Sequence, residues 1–368
     1  MTRAPPRCIG LFSSCARERL DNLTPYEYLA TVALQCMTRE RRGRVFAMRA
    51  VVQTGYGDPS RVLELRQVDE PVIADDQVLV RVAATSINSG DWRRVYASPR
   101  FIRLMVGIRR PKKPELGGDV AGVVEKIGPA VTHLKVGDEV YGIRSGAFAD
   151  YSAGMSFTRK PANLSLEEAA TVPIAGVTAY QALVVHGKVQ AGEKVVINGA
   201  GGGVGSFATQ IAKALGAEVT AVTSSANAEM VRGLGADQVV DYSRDDFTKS
   251  GQKYDLIVEV GGDQSIGAMR KALTPNGRIV LVGAGRRGFG VLGRLVGSTL
   301  RRRLGQPLAF FIADGPYRDQ LDALREMIEA GSVRPVIDRT YSIDQIADAI
   351  RYAATEKTRG KIAVTVAG

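Results

Sequence analysis

The sequence predicts an α/β protein with two domains, a small β-rich domain followed by a doubly wound parallel sheet. Three observations support this prediction. From Met48 to about Pro161, short β-forming runs are separated by glycine turns. Further along, apolar runs alternate with amphipathic ones, as expected where helices cover both faces of a parallel sheet. A glycine-rich stretch, "NGAGGGVGS", joins the first such apolar run to the first amphipathic one.

The composition is that of a globular protein large enough for more than one core. Of the 368 residues, 45% are apolar and 24% are charged. No run approaches the roughly 18 to 20 uninterrupted apolar residues of a membrane span, so we expect no integral membrane association. The net charge of +11 suits an anionic cofactor. It would also suit nucleic acid, but the aromatic-basic pattern typical of nucleic-acid binding does not occur, and we expect no such partner.

The first 47 residues differ from the rest of the chain. They contain eight Arg, no Lys and all three Cys. Thr24, Pro25 and Glu27 mark one helix start as N-cap, first-turn proline and capping-box acid. Acidic residues argue against a mitochondrial transit peptide, and the apolar core of a secretory signal is missing. We therefore expect residues 1–47 to be a disordered appendage or the product of an upstream start, with the working protein beginning at Met48.

The β-rich domain is predicted over residues 48–170. Its strands are expected in runs such as "MRAVVQ", "QVLVRVAATSI" and "VAGVVEKIG". Ser165 is followed by acids and then by helical spacing, which predicts a helix pair that leads into the second domain.

The parallel-sheet domain is predicted over residues 171–313. Its strands and helices alternate from "KVVIN" and "GSFATQIAKALG" to a strand at "GRIVLVG". Residues 314–368 add two helices and a terminal strand, "GKIAVTV", which we expect to return to the first domain.

The glycine-rich stretch has a pattern typical of dinucleotide binding. Gly199, Gly202 and Gly205 give G-x-x-G-x-x-G between a predicted strand and a predicted helix. In such a loop the first glycine permits the turn, the middle one lets a pyrophosphate approach, and the last permits close helix packing. A bare turn is the alternative, and the surrounding strand–helix units disfavour it. A triphosphate loop is disfavoured because no Lys-Ser/Thr follows the last glycine.

The residues at the end of the second parallel strand favour NADPH over NADH. An NAD-binding fold places an acid about 20 residues after the glycine loop, to bind the ribose 2′-hydroxyl. Here that position has "TSSAN", residues 223–227, whose hydroxyls can donate to a 2′-phosphate. The alternative, that these residues only begin a helix, stays open.

With these motifs the chain resembles the zinc-free branch of the medium-chain dehydrogenase/reductase superfamily, the quinone oxidoreductase or zeta-crystallin group with its enoyl-reductase relatives. The resemblance extends from Met48 to Val366 and includes "AATSINSGDWRR", "GGDVAGVVEKIGPAVTHLKVGDEVYG" and "EEAATVPIAGVTAYQAL". It implies a GroES-like β-domain joined to a Rossmann domain. It also implies a homodimer, because relatives pair edge strands such as "PLAFFIA" across a dimer.

Neither the resemblance nor the ligand count favours zinc. In zinc-dependent members a Cys stands where this chain has Asn88, and a His where it has Gly118. Residues 48–368 contain no Cys and only two histidines, His133 and His186, both predicted on surface loops. A structural zinc needs four Cys or His ligands and a catalytic zinc usually three protein ligands. We therefore expect no metal.

The resemblance implies a cofactor site between the two domains. Asn88 and Thr178 would lie by the nicotinamide, and Ser224 and Tyr242 by the 2′-phosphate. Lys361 would neutralise phosphate charge, or it is a solvated charge at a strand end. The pyrophosphate loop and the crevice would involve Gly199, Ala200, Gly202, Gly203, Val204, Gly205, Val260, Gly261, Gly283 and Ala284. The valines and Ala284 are equally well explained as core residues.

The expected chemistry is hydride transfer from NADPH to a quinone or an α,β-unsaturated carbonyl compound, including enoyl thioesters. Such acceptors need little help, whereas oxidising a plain alcohol usually needs a metal or a strong base. Asn88 and Tyr96 are the candidate catalytic residues, and an aromatic core or rim position is the alternative for Tyr96. We expect a cytoplasmic enzyme. A non-catalytic NADPH-binding sensor or crystallin-like structural or partner-binding protein is the alternative function.

Overall fold

The structure, a computed structural model, describes residues 47–262, 264–283, 308–311, 313, 315 and 317–366. The chain divides into a unit from Met1 to Ala47 and a compact unit from Met48 to Gly368. Two predictions, the character of the N-terminal extension and the place of Ala284 in the crevice, lie outside the described residues.

The described strands form a two-stranded, a six-stranded and a seven-stranded sheet. In chain order the strands are β1 (Ala47–Gln53), β2 (Leu63–Asp69), β3 (Val78–Ile87), β4 (Asp119–Ile127), β5 (Glu139–Ile143), β6 (Tyr151–Gly154), β7 (Phe157–Arg159), β8 (Lys194–Asn198), β9 (Glu218–Thr223), β10 (Gln238–Asp241), β11 (Tyr254–Glu259), β12 (Leu273–Val282), β13 (Leu308–Phe311), β14 (Ile337–Ser342) and β15 (Lys361–Thr365). The small sheet pairs β1 with β2.

The seven-stranded sheet contains both early and late parts of the chain. Its order is β14-β15-β3-β4-β5-β7, and β6 also pairs with β3. β3 and β4 are antiparallel, with residues such as Val80 and Val120 fully buried. The terminal strand β15 runs antiparallel to β3, with Ile362 opposite Ile87. The last strand therefore completes the sheet that the first part of the chain begins.

The six-stranded sheet is parallel throughout and has the order β10-β9-β8-β11-β12-β13. This is the doubly wound order of dinucleotide-binding domains. The first strand, β8, lies at the centre, and the later strands are added first on one side of it and then on the other. The central strands are apolar because helices cover both faces, and Val195, Val196 and Ile197 of β8 are all fully buried. The predicted α/β class with a doubly wound parallel sheet is confirmed.

Helices connect and cover these strands. They are α1 (Pro59–Val62), α2 (Ser89–Tyr96), α3 (Ile102–Val106), α4 (Leu166–Ala169), α5 (Pro173–Tyr180), a π-helical continuation of α5 (Gln181–His186), α6 (Gly203–Ala214), α7 (Ala228–Gly233), α8 (Ile266–Lys271), α9 (Tyr317–Glu329) and α10 (Ile346–Ala353). Short 3₁₀ segments cover Ser225–Asn227, Phe247–Lys249 and Ile343–Gln345.

The helix pair predicted from Ser165 is present as α4 and α5. Ser165 Oγ accepts from the Glu168 backbone N–H at 3.1 Å, and Glu168 Oε2 accepts from the Ser165 N–H at 2.8 Å. This capping box starts α4 at the predicted residue. The surface-loop prediction for His186 is wrong, because the chain stays helical through His186, whose ring stacks on Phe311 with centroids 4.3 Å apart.

Helix α9 packs both against strands of the seven-stranded sheet and against α5. These contacts link the seven-stranded sheet to the six-stranded one. The Tyr141 hydroxyl donates to the Leu321 carbonyl at 2.6 Å, and the Thr158 hydroxyl donates to Asp322 Oδ1 at 2.6 Å. One apolar core therefore continues from β5 to the parallel sheet. Within the described residues, no helix has the length and apolar character needed to cross a bilayer.

Candidate active site

The glycine-rich stretch forms the turn between β8 and α6. Gly199 has φ of +95°, and a Cβ there would lie 2.9 Å from the Gly261 nitrogen, so the turn requires glycine. At Gly205 a Cβ would collide with the Gly199 carbonyl oxygen, which shows how closely α6 packs on the strand end. Gly202, the N-cap of α6, differs from both. Among the described atoms, its Cβ position has only the Gly199 oxygen within 4 Å, at 3.7 Å. The middle glycine therefore borders open space, as approach of a pyrophosphate requires.

The remaining crevice residues follow the carboxyl ends of β8, β11 and β12. A Cβ at Gly261 or Gly283 would meet no described atom within 4 Å. Ala200 is buried, and Val204 and Val260 are partly buried against the core. The strand order reverses between β8 and β11, where open α/β sheets bind their ligands. The structure brings these predicted residues together at the carboxyl ends of the parallel strands. Their contact with a cofactor stays a prediction.

The end of β9 carries hydroxyl side chains. Thr223 is buried and Ser224 is partly exposed. On the neighbouring strand, the Tyr242 backbone N–H donates to the Thr223 carbonyl at 3.1 Å, which places Tyr242 beside the predicted 2′-phosphate position. The Tyr242 side chain is about half exposed.

Asp241, the last residue of β10, is an acid near this position that the sequence prediction did not consider. Its Oδ1 accepts from the backbone N–H of Ser243 at 2.9 Å and from the Ser243 hydroxyl at 2.8 Å. These bonds, followed by smaller contributions from Arg244 and Ser225, lower the pKa of Asp241. An ionised carboxylate therefore lies one strand away from Ser224, with Arg244 offsetting part of its charge.

The beginning of β15 lies against the glycine-rich turn. The Gly360 N–H donates to the Gly201 carbonyl at 2.9 Å. The aliphatic stem of Lys361 passes Gly203 so closely that a Cβ on Gly203 would lie 2.8 Å from Lys361 Cδ. Lys361 is only 3% exposed, so the alternative of a solvated strand-end charge is wrong.

The Lys361 ammonium group donates to three oxygen atoms. They are Asn88 Oδ1 at 2.6 Å, the Ile87 carbonyl at 3.2 Å and Asp119 Oδ2 at 3.2 Å. An ammonium group has three N–H donors. Neutralising a cofactor phosphate, the role that the resemblance implies for Lys361, would therefore require Nζ to leave these acceptors.

Asp119, the first residue of β4, is the centre of this cluster and is fully buried. Its Oδ1 accepts from the Ile174 N–H at 2.7 Å, and its Oδ2 accepts from Asn88 Nδ2 at 2.7 Å, from Lys361 and from the Ser86 hydroxyl. Such donors and a counter-charge offset the cost of burying a carboxyl group. Sequence reasoning missed Asp119, although an acid at the start of the apolar run "DVAGVV" was a visible signal.

Both residues predicted beside the nicotinamide connect to Asp119. Asn88, the residue before α2, donates from Nδ2 to Asp119 and accepts at Oδ1 from Lys361, so the orientation of its amide is fixed. Thr178 lies one turn after Ile174 in α5, and its hydroxyl donates to the Ile174 carbonyl at 2.6 Å. The structure thus brings Asn88 and the helix that carries Thr178 to one buried carboxylate.

The segment after Asn88 forms α2 and carries the other predicted residues. Asp91 closes a capping box, with Oδ2 accepting from the Asn88 N–H at 2.8 Å. Burial raises the pKa of Asp91 to about 6, against the opposing effect of this hydrogen bond. Tyr96 packs with Trp92 against the core of the seven-stranded sheet, in agreement with a core or rim position. A catalytic role of Tyr96 stays a prediction.

The zinc-ligand positions of this chain do not fit a metal. The Asn88 amide is engaged by Asp119 and Lys361, and Gly118 has no side chain that could bind a metal. In the part of the chain that the structure describes, no three His, Cys, Asp or Glu residues cluster as metal ligands.

Comparison with known proteins agrees with this architecture. Residues 74–217 match the alcohol dehydrogenase GroES-like domain, and residues 234–364 match a family described as zinc-binding dehydrogenase. The chain is 32% identical over 334 residues to the 2-methylene-furan-3-one reductase of Solanum lycopersicum, covering 86% of this chain and 79% of that protein. It is also 32% identical over 336 residues to an NADPH-dependent alkenal/one oxidoreductase, chloroplastic, of Arabidopsis thaliana, with the same coverage of 86% and 79%.

Solved structures show the same relationship. The quinone oxidoreductase from Coxiella burnetii superposes with a TM-score of 0.77 at 27% identity, covering 88% of this chain and all of that one. The sequence resemblance, the GroES-like domain and the Rossmann strand order therefore lead to one conclusion. The chain belongs to the medium-chain dehydrogenase/reductase family, in its quinone oxidoreductase group, and is an NAD(P)H oxidoreductase.

Proposed function

We propose that this enzyme is a metal-independent, NADPH-dependent reductase of quinones or α,β-unsaturated carbonyl compounds. The observation that carries the proposal is the cluster around Asn88. Where zinc-dependent relatives have a metal ligand, this chain has an amide held between Asp119 and Lys361. Quinones and conjugated enones accept hydride without the metal or strong base that an alcohol requires. The names of the tomato reductase and of the Coxiella quinone oxidoreductase support these two acceptor classes.

The residues at the sheet edge fit a dinucleotide. The open space beside Gly202 and the first N–H groups of α6 would hold the pyrophosphate, because the N-terminus of a helix attracts anions. Ser224 and Tyr242 would lie by the 2′-phosphate. The bound cofactor would supply the hydride. The Arabidopsis relative is named as NADPH-dependent, which supports the same preference here.

The contribution of the chain itself is to orient the reactants and to stabilise charge on oxygen. Asn88 uses one N–H and one oxygen lone pair within the cluster, which leaves one N–H for the carbonyl oxygen of an acceptor. A preorganised donor aimed at developing negative charge lowers the barrier to hydride transfer. Thr178 would line the nicotinamide side of the crevice. Tyr96 is the candidate for donating a proton to the acceptor after hydride transfer.

We also propose the domain boundaries, the assembly and the location. The proposed domains are the GroES-like residues 48–170, the Rossmann residues 171–313 and the returning segment 314–368. Among the described strands, β13 is the outermost of the six-stranded sheet, and an edge strand can pair with a second copy to form a homodimer. The proposed location is the cytoplasm, although the Arabidopsis relative is chloroplastic.

An acceptor panel tests the proposed function. The full chain is incubated with NADPH or NADH and a quinone, an enone or an enoyl thioester, and cofactor oxidation is followed by absorbance. A simple alcohol with NADP⁺ is the control, and metal content is measured on the same preparation. We expect reduction of at least one electron-poor acceptor with NADPH, unaffected by chelators, and no bound zinc. No turnover with any acceptor, or alcohol oxidation that a chelator abolishes, would contradict the proposal.

A further inference from the structure

We propose that Lys361 and Asp119 are positioning residues that hold the Asn88 carboxamide in one orientation for hydride transfer. The inference rests on the proposed function and deepens it, because Asn88 is the group that would touch the reactants. It also replaces the phosphate role expected for Lys361 by a different one. The observation behind it is the geometry of a cluster in which Lys361 and Asp119 are 3% and 0% exposed.

The three N–H bonds of Lys361 are directed into the protein. They go to Asn88 Oδ1, to the Ile87 carbonyl and to Asp119 Oδ2, at 2.6, 3.2 and 3.2 Å. The stem of the lysine passes close to Gly203, where an added Cβ would lie 2.8 Å from Lys361 Cδ. In this arrangement the lysine is placed beside the pyrophosphate loop but directs its charge toward the Asn88 amide.

The two charges select one of two amide orientations. A 180° flip of an Asn side chain exchanges its oxygen with its NH₂ group at almost no change in shape. At Asn88, the ammonium group of Lys361 binds the oxygen and the carboxylate of Asp119 binds the nitrogen. The flipped amide would place oxygen against the carboxylate and NH₂ against the ammonium group. The remaining N–H is therefore presented in one direction, on an amide that the nearby cation polarises.

The same carboxylate also fixes the other side of the crevice. Asp119 Oδ1 accepts from the Ile174 N–H in the first turn of α5, the helix that carries Thr178. A single buried group therefore sets the relative positions of Asn88 and α5. Misplacement of reacting groups by about 1 Å is enough to cost on the order of a hundredfold in rate.

A double-mutant cycle tests whether Lys361 acts through Asn88. The four proteins are wild type, Lys361→Met, Asn88→Ala and the double variant, with Lys213→Met as a matched control, because Lys213 also pairs with an acid but on the far end of α6. The measurements are kcat for a quinone at saturating NADPH, and the Kd of NADPH by titration. We expect Lys361→Met to lower kcat about 10- to 100-fold and to change the Kd less than about threefold. In the Asn88→Ala background the same change should lower kcat no further.

Two results would overturn the inference. A tenfold or larger rise in the Kd of NADPH at unchanged kcat would identify Lys361 as a phosphate partner. If the fold-loss of kcat in the double variant equals the product of the fold-losses in the two single variants, Lys361 does not act through Asn88. If Lys361→Met does not fold, a protein that carries both Asp119→Asn and Lys361→Met takes its place in the cycle. Removing both charges together leaves neither of them buried without its partner.

A spectroscopic measurement separates failure of the inference from failure of the proposed function. The fluorescence of bound NADPH reports the surroundings of the nicotinamide and needs no acceptor. If the wild type reduces nothing on the panel, the proposed function fails, and the same four proteins are compared by this emission. A change in Lys361→Met that is absent when Asn88 is already Ala supports positioning. Unchanged emission in Lys361→Met contradicts it.

Discussion

Gly202 and Gly205 lie three residues apart in one turn, yet their surroundings assign them different roles. The Cβ position of Gly202 faces open space, whereas that of Gly205 overlaps the Gly199 carbonyl oxygen. The same substitution at the two positions should therefore separate ligand binding from folding.

We expect Gly202→Val to weaken NADPH and NADH alike, by about tenfold or more, because the side chain would occupy the space of the pyrophosphate. The free energy of unfolding should fall by no more than about 1 kcal/mol, mostly from loss of a good N-cap residue. Gly205→Val should instead lower it by about 2–4 kcal/mol. Denaturant unfolding and cofactor titration measure both quantities. Equal stability of the two variants would contradict the assignment.

We expect the preference for NADPH over NADH to depend on single residues at the ends of β9 and β10. Ser224→Asp places a carboxylate by the proposed 2′-phosphate position and should lower NADPH affinity about 10- to 100-fold. NADH affinity is the internal control and should stay the same or improve. Asp241→Asn should instead raise the affinity for NADPH, because it removes from the neighbouring strand a negative charge that would repel the phosphate. An unchanged NADPH affinity in Ser224→Asp would show that the phosphate binds elsewhere.

At the scale of elements, α2 contains a titratable cap. The pKa of Asp91 is raised to about 6 in the folded protein, above the ordinary value of 3.8. The folded state therefore holds the Asp91 proton more tightly than the unfolded chain does, and the free energy of unfolding falls as the pH rises through the window from about 4 to 6.

We expect Asp91→Asn to remove this fall, because asparagine keeps an oxygen for the Asn88 N–H without titrating. Between pH 4 and pH 7 the stability of the variant should gain about 1–3 kcal/mol relative to wild type, allowing for solvent screening. Urea unfolding of both proteins across this range isolates the contribution of Asp91, because the other acids are common to both. A constant difference between the two proteins would show that Asp91 titrates normally.

The elements were easier to predict than the cluster that joins them. The β-α alternation, the glycine turn and the helix start at Ser165 are local patterns, and each appears in the structure where the sequence indicated it. The ion pair of Asp119 with Lys361 joins residues separated by 242 positions, and no local pattern specifies such a contact. The surface-loop prediction for His186 is wrong, because the chain stays helical through this residue, with Ala182 and Leu183 of the same segment buried.

At the scale of the whole molecule, the compact unit begins at Met48. A chain that starts at Met48 should fold and should bind NADPH with the affinity of the full chain, because residues 1–47 share neither the composition nor the pattern of the rest. Circular dichroism and cofactor titration of the two chains provide the comparison. Loss of solubility or of NADPH binding on truncation would show that the segment stabilises the enzyme.

The pairing of β15 with β3 has a consequence for how the protein is made. One partner of β3, the strand β15, follows all the other described strands in the chain, so a nascent chain that emerges N-terminus first must be synthesised through β15 before this side of β3 is covered. The six-stranded sheet draws its described strands from residues 194–311 and can close earlier. The sheet whose strands are synthesised first is therefore completed after the parallel sheet, and the buried contact between Asn88 and Lys361 forms only once the chain has been synthesised through β15.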